Sequence, residues 1–394
     1  MLDRASHTHM QSPRWYAAVG FCALVIQLVG VFHVLQHAVE NVLLTVGLFK
    51  SSSSSVGSSS ARAPGETPPW LEKNTKVALV TGANRGLGLA TAKLLARNGV
   101  HVLLLCRNRQ AAEASVSKDT ALRGLCTMIQ VDLSSFKLVR KAASEVTLAC
   151  MRMSTRLDYV ICNAGIMDPP AFASGEEGYE LQMQVNCLSH ALLVHLLLKA
   201  GVVQDDKLSR IVSVSSFAHH GYSTYLNDRA GDGVVERMKM TPSEYHPKLA
   251  YAKSKWFQVL LMKSLSETIE TTYGQNATCV SVNPGVVDTD MARIYCKGEF
   301  PEKMRWLTDP VLDVMMTPAM RRASTAASLV MAALTAPAAE VDGQFVFMGP
   351  TGRLGSREYG DRGLRWDDVI GKLTDPITDR PSPVAQTSFA SFRS

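Results

Sequence analysis

From Lys76 onward the chain alternates two kinds of segment, and that alternation narrows its fold more than any other feature. Short, uninterrupted apolar runs recur at Lys76–Val80, His101–Leu105, Met128–Val131, Tyr159–Cys162, Ile211–Val214, Thr278–Val282 and Phe345–Met348. Helical patterns separate most of them, at Leu87–Leu95, Tyr179–Ala200, Tyr251–Tyr273 and Met320–Leu334. A strand with one wet face alternates apolar and polar residues, whereas one that is apolar throughout is buried on both faces. Such strands with helices between them predict an α/β, doubly wound parallel sheet with helices on both faces. The domain so defined spans residues 71–350.

Ahead of it, Trp15–Phe49 is strongly apolar, and Trp15–Leu35 holds no Asp, Glu, Lys or Arg. About 20 apolar residues in a helix cross a bilayer core. Residues 1–50 therefore read as an N-terminal membrane helix, with a cleaved signal peptide and a soluble buried helix as the rivals. Residues 51–70 are Ser-rich, a composition that cannot bury a core and suits a flexible linker. Residues 351–394 read as a polar tail, poorly ordered from about Thr374. The charge balance, 41 − 35 = +6, is weak and dispersed, so no nucleic-acid partner is expected. The Cys residues form no CxxC pair, and His219 and His220 have no partner at ligand spacing, so no metal site is expected. Free thiols also suit a reducing compartment.

The first strand runs directly into Thr81-Gly82-Ala83-Asn84-Arg85-Gly86-Leu87-Gly88, which opens a helix. Glycines there allow a tight turn and a close approach of backbone to a pyrophosphate at the helix N-terminus. The second strand ends in Cys106-Arg107-Asn108. An NAD site wants a carboxylate near that point for the ribose 2′-hydroxyl. Here none is present, and Arg107 together with Arg85 can pair with a 2′-phosphate. NADP(H) is the cofactor this predicts.

Tyr251 and Lys255 lie four apart, on one helix face. An ammonium beside a phenol favours the phenolate, which would lower the pKa of Tyr251 and let it pass protons to a carbonyl or alcohol oxygen. Ser215 and Ser216 follow the strand Ile211–Val214, at the end of the sheet where ligands bind. One of the two suffices to donate to a substrate oxygen; both could also simply cap the turn. Asn163-Ala164-Gly165, Asp132-Leu133 and Asn283-Pro284-Gly285, with Thr289 after it, mark other strand ends. Asn186 sits in an apolar helix, where a bare amide needs a buried partner.

Taken in order, these motifs resemble the short-chain dehydrogenase/reductase family over nearly all of Lys76 to Pro350. The resemblance implies a Rossmann-type fold. It also implies a catalytic tetrad of Asn186, Ser216, Tyr251 and Lys255. Cofactor contacts would come from Gly82, Asn84, Arg85, Gly86, Leu87, Gly88, Arg107, Asp132, Leu133, Asn163, Ala164, Gly165, Pro284, Gly285 and Thr289, with Tyr251 and Lys255. Tyr251 would be the general acid/base and Ser216 would orient the substrate oxygen. Lys255 would hold the nicotinamide ribose, and Asn186 would support a proton-relay water. The CRN run, Ser213–His220 and Ser243–Lys255 look like the retinol-dehydrogenase-like branch, which includes membrane-tethered enzymes.

After Thr289 the family places a substrate lid. Here that stretch carries Met291, Tyr295, Phe300, Met304, Trp306, Met315 and Met316. Such side chains suit a large apolar ligand, or equally an ordinary helix core. The expected substrate is a lipophilic alcohol or carbonyl, retinoid first, then steroid or polyprenol. The expected location is the endoplasmic reticulum membrane, with the domain facing a reducing compartment; a homo-oligomer fits as well as a monomer. The competing classes are a membrane-tethered dinucleotide-binding protein without catalysis and a sugar-nucleotide epimerase. The intact tetrad disfavours the first, and the glycine spacing the second.

Overall fold

The computed structural model describes residues 76–223, 237–291, 320–348, 354–357, 359 and 364–374. The expected anchor, the Ser-rich linker, the lid residues from Tyr295 to Met316 and the tail beyond Thr374 lie outside them.

The described strands are β1 (Val77–Thr81), β2 (His101–Cys106), β3 (Cys126–Gln130), β4 (Tyr159–Cys162), β5 (Arg210–Val214), β6 (Thr278–Asn283), β7 (Phe345–Met348) and β8 (Leu354–Arg357). They form one sheet in the order β3-β2-β1-β4-β5-β6-β7-β8. Every neighbouring pair from β3 to β7 is parallel, as the apolar runs predict. The edge strand β8 departs from this and pairs antiparallel with β7. Parallel return needs a crossover of a dozen or more residues. Residues 349–353 are too few, so the chain can only turn back.

Successive residues of a strand face opposite sides, and in β1 both sides are dry. Val77 and Leu79 join one core, with Leu103, Leu105 and Ile129. Ala78 and Val80 join the other, with Val102, Leu104 and Val282. The second core is covered by α1 (Gly86–Arg97), α7 (Ala323–Thr335) and the short α8 (Ala338–Val341). The first is covered by α3 (Phe136–Arg152), α4 (Leu181–Lys199), α6 (Pro247–Tyr273) and α9 (Trp366–Leu373). The remaining helices, α2 (Arg109–Ser117) and α5 (His219–Ser223), follow β2 and β5.

Two local signals set the ends of the long α6. Pro247 occupies the first turn, where its missing N–H costs nothing, and Gly274 ends the helix in the left-handed region at φ 62°. Tyr251 therefore sits one turn inside the helix. Among the described residues α4 alone is long and apolar enough to cross a membrane, yet 89% of that stretch is buried inside the protein. It is a core helix of this domain.

The fold also extends past the boundary at residue 350. In α9, Trp366, Val369, Ile370 and Leu373 are buried in the first core. Trp366 N donates to Ser264 Oγ (2.8 Å) and Trp366 Nε1 to Tyr273 Oη (2.7 Å), both on α6. Arg140 on α3 caps the far end by donating to the Leu373 carbonyl (2.7 Å).

Candidate active site

The sheet order reverses between β1 and β4, and in open α/β sheets ligands bind in the crevice at the carboxyl ends of the strands beside such a switch. Each strand end there delivers one of the expected residues.

At the end of β1, Gly82 has φ 66° and its N–H donates to the Leu105 carbonyl (2.7 Å). Gly86 has φ 55° at the start of α1. Gly88 is constrained by space instead: a Cβ there would strike the Asn163 side chain and the Gly82 carbonyl. The first turn of α1 carries no acidic residue, and Arg85 at its N-cap makes no side-chain cap bond. The turn thus offers an uncrowded backbone cradle and unclaimed amides to an anion, which fits a dinucleotide pyrophosphate. Gly88→Ala is expected to cost about 1–3 kcal/mol by overpacking. It should also weaken NADPH binding at least tenfold, read by fluorescence titration beside a thermal melt.

Arg107 is exposed just beyond β2, and Cys106 is buried behind it with its thiol pushed up by burial. Arg85 reaches Asp290 at 3.1 Å, an ion pair whose members are 70% and 69% exposed. Past β3, Asp132 accepts from Ser134 N (2.9 Å) and Ser134 Oγ (2.7 Å), and the Leu133 carbonyl accepts from Ser189 Oγ (2.5 Å). Past β6, Pro284 and Gly285 end the strand, and the Thr289 methyl would lie 3.2 Å from a Cβ placed on Gly86.

Past β4, Asn163 Nδ2 donates to the Thr81 carbonyl (2.8 Å), while Asn163 N and Ala164 N both donate to Thr81 Oγ1 (2.9 Å each). That hydroxyl has two donors upon it, so its own proton goes to His190 Nε2 at 2.9 Å. His190 Nδ1 then carries the other proton and donates to the Asn186 carbonyl (2.9 Å). Burial keeps this imidazole neutral, lowering it to about 4. Sequence reasoning passed over Thr81 and His190; a buried polar pair shared by a strand and a helix leaves no local pattern.

Asn186 is fully buried, and its amide is satisfied. Oδ1 accepts from Ile166 N (2.8 Å), and Nδ2 donates to the Ile166 carbonyl (3.0 Å) and to Ser254 Oγ (2.9 Å). The helix around it is not regular: Gln184–Leu188 forms a π turn within α4. Such turns occur mostly as single insertions in α-helices, often at functional sites. A Cβ on Gly165 would lie 3.2 Å from Asn186 Oδ1 and 3.7 Å from Lys255 Nζ, so both side chains border the same small space.

Ser216 follows β5 close enough to the Tyr251 phenol to favour its ionised form. Ser215, the other candidate, is turned away: it is buried and donates to the Lys255 carbonyl (3.0 Å). Lys255 Nζ donates to the Val214 carbonyl (2.9 Å) and lies 5.6 Å from the Tyr251 ring centroid. The expected lowering of the phenol by the ammonium is not what the protein alone produces. Burial dominates, pushing Tyr251 up to about 12 with only Ser216 opposing it. Burial likewise lowers Lys255 to about 8. His219 and His220 stand in α5, where His219 is fully buried.

Known proteins resemble this chain in sequence and in fold. Residues 76–226 match the family model for short chain dehydrogenase. Mouse retinol dehydrogenase 11 is 32% identical over 278 residues, covering 70% of this chain and 77% of that protein. Human retinol dehydrogenase 13 is 34% identical over 225 residues, 55% of this chain and 61% of its own length. Among solved structures, an uncharacterized protein from Mycobacterium paratuberculosis superposes with a TM-score of 0.53 at 26% identity, covering 78% of this chain and 95% of that one. Actinorhodin polyketide ketoreductase with NADPH superposes with a TM-score of 0.52 at 21% identity, covering 69% and 95%, a likeness of fold alone. With the strand-end crevice and a relative of this extent, the chain belongs to the retinol-dehydrogenase-like branch of the short-chain dehydrogenase/reductase family and is a nicotinamide-dependent oxidoreductase acting on CH–OH groups.

Proposed function

We propose that the protein interconverts a lipophilic alcohol and its carbonyl compound with NADP(H), a retinoid being the first candidate and a steroid or polyprenol the next. One observation carries this reading: Lys255 Nζ, bonded to the Val214 carbonyl at the carboxyl end of β5 where Ser216 follows, lies 5.6 Å from the Tyr251 ring centroid. The dinucleotide, when bound, supplies or accepts the hydride.

In the reducing direction, Tyr251 gives its phenolic proton to the carbonyl oxygen as the carbon is reduced. With its pKa raised to about 12, the phenol enters the reaction protonated. Ser216 donates to the same oxygen and holds it in line. Lys255 supplies a nearby cation for the phenolate left behind, and Asn186 borders the space through which a proton returns. Gly82, Asn84, Gly86, Leu87 and Gly88 would cradle the pyrophosphate. Asn163, Ala164 and Gly165 would lie along the ribose, Asp132 and Leu133 beside the adenine, and Pro284, Gly285 and Thr289 beside the nicotinamide. Membrane tethering through residues 1–50 would bring the site to a substrate dissolved in lipid.

The 2′-phosphate of NADP(H) would be held by Arg107 and Arg85. The Arg85–Asp290 pair is exposed and correspondingly weak, so a dianionic phosphate displaces the carboxylate readily. Arg107→Ala is expected to weaken NADPH binding about 10–100-fold, one charge-assisted contact, and to leave NADH binding unchanged. Calorimetric titration with both cofactors measures this. Equal losses would mean that Arg107 does not read the phosphate.

A pH dependence follows from Lys255. Its folded pKa is depressed, so the ammonium is lost as pH rises through about 8. The value of kcat/KM for NADPH, which reports the free enzyme, is expected to fall above about pH 8. In Lys255→Met that limb should vanish from an activity already low.

The experiment that tests the reading follows NADPH oxidation in membranes carrying the full-length chain, with retinal, steroid ketones and polyprenals in turn. Turnover of one class that disappears in Tyr251→Phe supports the reading and names the substrate. Tight NADPH binding with no turnover on any class would leave the non-catalytic alternative.

A further inference from the structure

We infer that Tyr359, contributed by the segment after β8, is a positioning residue for the reaction: through His219 it fixes the backbone of Ser216. This rests on the reading above, in which Ser216 and Tyr251 handle the proton.

Tyr359 Oη lies 2.5 Å from His219 Nε2, and His219 Nδ1 lies 2.5 Å from the Ser216 carbonyl oxygen. The direction of each bond follows from chemistry. A carbonyl oxygen only accepts, so Nδ1 carries the imidazole proton and donates it. Nε2 is then the acceptor, and only a hydroxyl can serve it. The Tyr359 hydroxyl is the group at that position, so its proton goes to Nε2. The result is a one-way chain: Tyr359 to His219, His219 to Ser216. Burial holds the imidazole neutral, lowering it to about 3, so the chain keeps one protonation state through the working range.

The chain acts at a sensitive point. The Ser216 carbonyl also accepts from His219 N (3.2 Å), and Ser216 Oγ accepts from Ala218 N (3.2 Å). Both the peptide plane and the hydroxyl are therefore clamped, close to Tyr251. The ring of Tyr359 packs edge-on against Trp256 at 5.1 Å and His219 at 5.3 Å. Trp256 is the neighbour of Lys255. Packing alone would be served as well by phenylalanine; the hydroxyl adds the bond to Nε2.

The test is a double-mutant cycle on the full-length chain, with Tyr359→Phe, His219→Asn and the pair, assayed with NADPH and the carbonyl substrate. His219→Asn keeps a donor for the Ser216 carbonyl and removes the acceptor for Tyr359. Tyr359→Phe is expected to lower kcat about 10–100-fold, the effect of a small misplacement of a reacting group. KM for NADPH should stay unchanged, and the melting temperature should fall only by the cost of one unserved buried acceptor. In the His219→Asn background Tyr359→Phe should have no further effect. An unchanged kcat in Tyr359→Phe, or losses that multiply in the pair, would overturn the inference. Should wild-type turnover itself survive Tyr251→Phe, the underlying reading fails instead. The linkage is then judged from ¹⁵N-histidine spectra, where Tyr359→Phe must shift the His219 Nε2 resonance; an unmoved resonance overturns it.

Discussion

Tyr251→Phe is expected to lower kcat by about 10²–10⁴, the usual worth of a positioned acid, and to change NADPH affinity far less. The substitution removes one oxygen and keeps the ring, so the packing of α6 is undisturbed. The oxygen removed is the one close to Ser216, and with a pKa of about 12 it is protonated when a carbonyl arrives. Ser216 remains in the variant and can still polarise the substrate oxygen, but a serine hydroxyl is a far weaker acid than a phenol. Single-turnover reduction beside a binding titration separates the two quantities. A loss smaller than about tenfold would assign the proton to another group, contrary to the usual worth of such an acid.

Trp366→Ala is expected to have the largest effect on stability, about 3–5 kcal/mol, the range for emptying a buried aromatic site. Trp366 is completely buried, and its indole N–H donates to the Tyr273 hydroxyl. The truncation therefore leaves both a cavity and an unserved buried polar group. For a domain of this size the loss corresponds to roughly 6–20 °C in melting temperature, read by calorimetry. Trp366→Phe keeps most of the volume and should recover the larger part. A melting temperature unchanged in the alanine variant would mean that α9 does not hold the fold.

These two residues also mark how far the sequence could be read. Tyr251 was legible because its chemistry is local: a phenol and an ammonium four residues apart, after a glycine turn and a serine-bearing strand end. The strands were legible for the same reason, since a continuous apolar run declares burial on both faces. Trp366 was not. Its helix is short, stands among polar and proline-rich sequence, and acquires its apolar face only by docking on α6. The antiparallel turn into β8 escaped as well, because its cause is the shortness of residues 349–353 rather than any residue type. For Tyr251, helix spacing reports the neighbouring ammonium and is silent about desolvation, which in the protein alone is the larger effect.

The π turn at Gln184–Leu188 bears on how this protein tolerates length changes. It holds one residue more than the regular ladder needs. Deleting a single residue there would let α4 close into an ordinary helix, with nothing lost by any measure of helical content. The same deletion would rotate the preceding turn by about 100° relative to the rest of the helix. Either Asn186 would leave Ile166 and Ser254, or Gln182, which now serves Asp168 N and the Pro247 carbonyl, would leave them. At this point, then, a shorter chain is a better helix and a worse enzyme, and insertions and deletions are constrained more tightly than substitutions.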